Sequence, residues 1–296
     1  MHEGVDAMRK KMRWIWICVS FIFLMGCEGF TFPFDLPFYT HTQASTTRVL
    51  THSGTITVLE ADYASYQTYR SPTHDMSIET YNHHLIETRD AIRRANIHVS
   101  TSLYEERSIG PFGTSSILRS TSEGSGVIFK EDETYYYALT NYHVINPGSY
   151  TPVYEIKTFF HDTPISASLI ASDSDLDLAV VRFEKGEFPD IHIINIIERT
   201  FTKFQVGEFV LAVGNPLDVE NNVTFGELIG LENILSVDFP VLAHSAMIHQ
   251  GSSGGALVDV DGNLLGLNTW GIEGTDEYSL AVPISIVYMF LVNHGL

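Results

Sequence analysis

A chain of 296 residues that is 44% hydrophobic, with ordinary glycine and proline content, can bury the core of one or two domains and is neither low-complexity nor collagen-like. Its formal net charge is −19, and the first 26 positions hold four of the 17 basic and two of the 36 acidic residues, leaving 13 against 34 in the remainder. Such a surface repels nucleic acid and anionic headgroups, so no nucleic-acid partner is expected, and solubility is a sufficient reason for the acidity.

The N-terminus reads as a targeting segment. Arg9-Lys10-Lys11-Met12-Arg13 is a basic run, and Trp14 to Met25 is an apolar stretch of 12 residues, short for a membrane span but suited to a signal core. It ends in Leu24-Met25-Gly26-Cys27, which looks like a bacterial lipoprotein cleavage site. Cleavage would place a diacylglyceryl group on the Cys27 sulfur and tether the chain to a membrane; an uncleaved short anchor is the alternative reading. Cys18 lies inside the signal, so the mature chain is expected to hold neither a free thiol nor a disulfide.

From Glu28 to about Ser77 no period persists, and residues 27–77 read as a tether. Its start, Phe30 to Tyr39, is rich in aromatics and proline. Those rings could lie at a membrane interface, pack between subunits, or pack locally, and the sequence does not choose among these. Met76 to Arg94 is the helix candidate, with Ile78, Tyr81, Leu85 and Ile92 near helical spacing. His83-His84 within it lacks a metal-ligand spacing, so no metal or other cofactor is expected.

Short strand-like runs follow: Ile97–Leu103, Ser125–Lys130, Tyr135–Thr140, Tyr154–Phe160, Ile165–Ser172 and Leu178–Phe183. After a linker from Gly186 to about Arg199 come Phe209–Val213, Asn222–Leu231, Val241–Ile248, Ala256–Val260, Leu264–Asn268 and Tyr278–Val282. Regular short strands argue for barrels or a sandwich, and Asp261-Gly262 marks a hairpin. Ile284–Val292 reads as a closing helix.

Three segments carry chemistry. His143 ends the apolar, aromatic run that starts at Tyr135, which suits a cleft, although a core histidine is the ordinary reading of such a residue. Asp173, Asp175 and Asp177 precede a buried-looking strand. Asp177 abuts it and can be shielded from water beside an imidazole, whereas Asp173 and Asp175 are expected to face solvent; a calcium loop would need a glycine and a terminal glutamate that are missing. In Gln250-Gly251-Ser252-Ser253-Gly254-Gly255, a serine between glycines can present its hydroxyl beside free main-chain N–H groups, the arrangement acyl transfer requires. His143, Asp177 and Ser253 follow one another at intervals of 34 and 76 residues, in the order His, Asp, Ser.

With Gly124-Ser125-Gly126-Val127-Ile128-Phe129, Thr140-Asn141-Tyr142-His143-Val144, Asp177-Leu178-Ala179-Val180, Val213-Gly214-Asn215-Pro216, Gly251-Ser252-Ser253-Gly254-Gly255 and Gly266-Leu267-Asn268-Thr269, the chain resembles trypsin-like serine proteases of the HtrA/Deg type over roughly residues 85–290. The resemblance implies an all-β, chymotrypsin-like fold of two six-stranded antiparallel barrels with a short N-terminal and a C-terminal helix. It divides the chain into a signal (1–26), a tether (27–77), helix plus first barrel (78–190), and second barrel with closing helix (191–296).

The same resemblance implies a serine endopeptidase with His143 as base, Asp177 as its orienter and Ser253 as nucleophile. The turn Gly251, Ser252, Ser253 would form the oxyanion hole. Met247 would stand at the base of the S1 pocket and Thr269, Trp270 and Gly271 along one wall, which predicts aliphatic P1 residues. Polypeptide substrates, envelope protein quality control on the extracytoplasmic side of a bacterial membrane, and a homotrimer are the further implications. The chain departs from the family's pattern at Ser252, Ser245 and Met247, where Asn, Asp and a small residue are usual, and no PDZ domain is expected after Ala281-Val282-Pro283.

Overall fold

Helix α1 (Ile78–Ala95) starts where Ser77 caps it: the Ser77 hydroxyl accepts the Thr80 N–H at 3.2 Å, and Arg93 and Arg94 sit at the favourable C-terminal end. The computed structural model describes residues 47–52, 54–59, 76–159, 161–186, 191–197, 199–216, 220–234, 237–271 and 278–296. The proposed signal, Cys27 and most of the tether therefore lie outside the described residues. Within the tether span, β1 (Thr47–His52) and β2 (Gly54–Leu59) pair as an antiparallel hairpin that the polar sequence did not signal.

Two closed six-stranded antiparallel barrels follow, as the family resemblance implied. The first consists of β3 (Asn96–Ser108), β4 (Thr114–Glu131), β5 (Tyr135–Thr140), β6 (Thr151–Thr158), β7 (His161–Asp173) and β8 (Leu178–Glu184). It closes in the order β3-β4-β5-β8-β7-β6. The second consists of β9 (Phe209–Gly214), β10 (Asn222–Glu232), β11 (Val241–His244), β12 (Ala256–Asp259), β13 (Leu264–Gly271) and β14 (Ser279–Pro283), closing as β10-β11-β14-β13-β12-β9. Closure gives each strand of a barrel two hydrogen-bonded neighbours.

Alternating side chains fill each interior. Val99, Ile128, Ala138, Val181 and Phe183 form part of one buried cluster, and Leu211, Leu242, Leu257, Leu267 and Val282 part of another. Helix α1 packs against β3, β4, β9 and β10 and so spans both barrels, burying Ile92 and Ala95. Its Thr88 hydroxyl donates to Val260 O at 2.9 Å, and His84 pairs with Asp261 at 3.1 Å, tying the helix to the β12–β13 turn. Helix α3 (Ile284–Asn293) begins at Pro283 and buries Ile286, Val287 and Phe290.

Three local expectations are corrected. Asp173 is buried rather than solvent-facing, because its carboxylate accepts the N–H groups of Asp175 and Leu176 at 3.0 and 3.1 Å and so shapes the β7–β8 turn. The run Val241–Ile248 leaves the sheet at His244. There Ala246 crosses over Gly226 so closely that a Cβ on that glycine would lie 2.1 Å from its nitrogen. Finally, β3 and β4 extend to Ser108 and Thr114 as a long ribbon whose outer half is largely exposed. With both faces wet, it shows no hydrophobic alternation to read.

His244 is fully buried in β11, and neither ring nitrogen reaches a hydrogen-bond partner. Burial lowers its pKa to about 4. Between that value and the ordinary 6.5 the unfolded chain binds more protons than the folded one. This residue's contribution to stability is therefore complete above the ordinary value and is lost as pH falls toward the folded one. Burial depresses His98 and His192 in the same sense and raises Asp259 and Glu208 in the opposite one, so the test must be differential. Unfolding free energies of wild type and His244→Leu, compared from pH 7 to pH 4, should converge or cross by up to about 3 kcal/mol. A gap independent of pH would show that His244 takes up its proton equally in the folded and the unfolded chain.

Candidate active site

The strand β5 ends at Thr140, and Asn141 begins a single helical turn, α2 (Tyr142–Ile145). Val144 and Ile145 anchor that turn in the first barrel's core, which leaves His143 on the opposite side with its ring 45% exposed. Asp177 lies in the turn between β7 and β8, flanked by buried Leu176 and Leu178. Its φ of 52° is in the left-handed region, which aspartate tolerates better than most side chains. Asn141 holds that conformation, donating its side-chain amide to Asp177 O at 2.9 Å.

The Asp177 carboxylate is 10% exposed and fully engaged. It faces His143 Nδ1 at 2.9 Å from Oδ2 and 3.0 Å from Oδ1, and Oδ1 also accepts the His143 main-chain N–H at 3.0 Å. Thr269 Oγ1 donates to Oδ2 at 2.7 Å. The imidazole is therefore held at its ring and at its backbone by one shielded charge, with Nε2 on the side away from the carboxylate.

Ser253 comes from the second barrel, in the loop between β11 and β12. Its hydroxyl donates to Thr269 O at 3.0 Å and not to His143, while the residue stays half-buried. Thr269 therefore meets both partners, Asp177 through its hydroxyl and Ser253 through its carbonyl. The sequence reading had placed it only on a pocket wall.

Tight backbone contacts fix the Ser253 turn. Ser252 N–H donates to His249 O at 2.9 Å, Gly254 N–H to Asn268 O at 2.8 Å and Gly255 N–H to Ser252 O at 3.0 Å. Gly254, at φ 86°, presses so closely on β4 that a Cβ there would lie 2.2 Å from Ser125 O. Among the described residues, no acceptor takes the N–H of Gly251 or Ser253. Two main-chain donors of the nucleophile's turn thus remain, and an oxyanion site needs such donors. Ser252, although in the same turn, spends its N–H on His249 and its hydroxyl accepts from His249 N at 3.4 Å.

Of the residues expected around a specificity pocket, Met247 is 50% exposed, and its carbonyl accepts from Thr224 Oγ1 at 2.8 Å. The next residue, Ile248, donates its N–H to Ser279 Oγ at 3.3 Å, and Ser279 stands opposite Gly271 in the β13–β14 ladder. Met247 is thereby one residue removed from the strand pair that carries Trp270 and Gly271. Sequence reasoning missed Asn141 and Ser125 as supports of the site, since nothing in a short polar motif says which atoms its amide or hydroxyl will reach.

Residues 124–267 match the family described as a trypsin-like peptidase domain. The chain is 32% identical over 199 residues to the serine protease Do-like HtrA of Bacillus subtilis, covering 62% of this chain and 42% of that protein. It is 30% identical over 172 residues to the Chlamydia muridarum protein described as "Probable periplasmic serine endoprotease DegP-like", covering 56% and 32% respectively. Among solved structures, the serine endoprotease from Yersinia pestis aligns with a TM-score of 0.53 at 30% identity, over 71% of this chain and 66% of that one. The HtrA-type protease AlgW with tripeptide aligns with a TM-score of 0.55 at 26% identity, over 71% and 64%. The matches to the two curated relatives span about two fifths and one third of those proteins' lengths.

Proposed function

We propose that this trypsin-like serine endopeptidase domain of the HtrA type cleaves exposed or unfolded polypeptide through an acyl-enzyme, with His143, Asp177 and Ser253 as the triad. The observation that carries the reading is the Asp177 carboxylate, which grips His143 at two points and is bonded by the same Thr269 whose carbonyl holds Ser253.

In this reading the Ser253 side chain turns from Thr269 O toward His143 Nε2. His143 takes the hydroxyl proton as Oγ bonds to the peptide carbonyl carbon, and the carbonyl π pair moves onto its oxygen. The N–H groups of Gly251 and Ser253 receive that oxyanion, each such donor being worth roughly 3–4 kcal/mol in related sites. Asp177, accepting the Nδ1–H, leaves the Nε2 lone pair free for the serine proton and stabilises the imidazolium that forms. The imidazolium then protonates the leaving amine as the C–N bond breaks. Water deacylates the ester by the same route, giving its proton to His143.

An extracytoplasmic setting fits the periplasmic relative, and the basic run, apolar stretch and Gly26-Cys27 junction support a lipid anchor at Cys27 on a bacterial envelope membrane. Protein quality control by a homotrimer is the physiological role this reading favours. The division into signal, tether and two barrel domains belongs to it as well. At the substrate pocket, Met247 offers no counter-ion to a basic P1 side chain, and with Thr269, Trp270 and Gly271 it favours aliphatic residues there.

A fluorophosphonate should add covalently to wild type and not to a folded Ser253→Ala variant, read by intact mass; equal adducts on both, or neither labelling nor cleavage of a denatured protein by wild type, would overturn the triad. A peptide library should be cut after small or medium aliphatic residues, and dominant cleavage after Arg would exclude the pocket assignment. In bacteria expressing the full chain, labelled palmitate should enter the protein and be lost in Cys27→Ser; label retained in that variant would place the lipid elsewhere.

A further inference from the structure

We infer that Ser125 is a positioning residue for the oxyanion site, holding Gly251 in the conformation that leaves its N–H free, and that Asn215 sets the direction of the Ser125 hydroxyl. The inference rests on the protease reading of Ser253. Ser125 lies on β4 of the first barrel and is fully buried. It grips the nucleophile's turn twice: its main-chain N–H donates to Ser253 O at 2.7 Å and its hydroxyl to Gly251 O at 2.7 Å.

A serine hydroxyl has one proton to donate and two lone pairs to accept with. Here Asn215 supplies donors to the accepting side, its main-chain N–H at 2.7 Å and its side-chain amide at 3.3 Å. The one remaining proton is thereby directed at Gly251 O. Asn215 is itself fixed, donating to Ile97 O at 2.8 Å and accepting from Asn221 N–H at 2.9 Å and from Asn96 Nδ2 at 3.1 Å. Ser125, Asn215, Ile97, Asn221, Asn96 and Gly251 are all buried. Buried hydrogen-bond chains of this kind resist rearrangement, because breaking one link leaves donors or acceptors with no water to satisfy them.

Gly251 is one of the glycines of the turn and has backbone freedom to lose. Its φ is 96°, and nothing on its own side chain can hold that conformer. Rotation of its carbonyl away from Ser125 would re-aim the peptide units on either side, including the N–H that faces the reacting carbonyl. The Ser125 hydroxyl touches no reacting atom and acts through Gly251.

The inactivation of the purified full chain by a fluorophosphonate separates this role from general packing, because it resolves a binding constant from the chemical step. Ser125→Ala, checked for folding by thermal melting, should lose about 10–100-fold in the maximal inactivation rate with the binding constant within about twofold. Ser125→Cys, a weaker donor of similar size, should fall between wild type and alanine. Wild-type chemistry in Ser125→Ala overturns the inference and leaves the protease reading standing. So does a loss confined to binding, or a cysteine variant no better than alanine. If Ser125→Ala does not fold, Ser125→Cys decides: an unchanged maximal rate overturns the inference, and a slowed one at unchanged binding supports it. A wild type that never labels and never cleaves denatured protein fails the protease reading, and this inference falls with it.

Discussion

The seam between the two barrels is built around one main-chain hydrogen bond, from Ser125 N–H on β4 to Ser253 O in the second barrel. A hydrogen bond from a buried donor such as the Ser125 N–H must keep its geometry, since that donor cannot fall back on water. That requirement propagates outward. Gly254 has no room for a Cβ beneath it, Gly255 would collide with Val213 O, and Gly214 would collide with Ser252. Gly254 is thus demanded by contact with the first barrel as much as by its own dihedral, whereas Gly255 and Gly214 are demanded by the packing of the turn on β9 of its own barrel.

A second constraint is electrostatic. A carboxylate removed from water is costly unless its oxygens are occupied, and Asp177 satisfies this with two groups of His143 and one of Thr269. The same contacts that make the burial tolerable also fix the imidazole. Structural stability and orientation of the ring are therefore one arrangement, and Thr269 extends it to Ser253 through its carbonyl. The single turn α2 contributes by sinking Val144 and Ile145 into the core, which leaves His143 pointing the other way.

How legible this was depended on whether one face of an element was buried. β5 matched its expected span, because Ala138, Leu139 and Thr140 enter the core after three half-buried tyrosines that meet cations, as where Arg182 stacks on Tyr135. The outer half of the β3–β4 ribbon was invisible because it buries neither face, and its pairing rests on backbone bonds that any sequence can make. Asp173 was misjudged for a related reason: alternating acids read as solvated until the turn they shape is known. The hydrophobic run after Val241 looked like one strand, whereas contact with Gly226 bends it out of the sheet.

The sequence by itself determined the kind of fold and the candidates for chemistry: short strands between turns, a histidine after one, an aspartate before another, and a serine among glycines, in one order. It did so because hydrophobic period and turn residues are local properties of a chain. Only the tertiary structure decided what those candidates touch. That Thr269 joins Asp177 to Ser253, that Asn141 holds Asp177 in a left-handed turn, and that Ser125 reaches Gly251 from another barrel are contacts across 92, 36 and 126 residues of chain. Side-chain hydroxyls and amides have no preferred partner until packing brings one within 3 Å and excludes the water that would otherwise take its place.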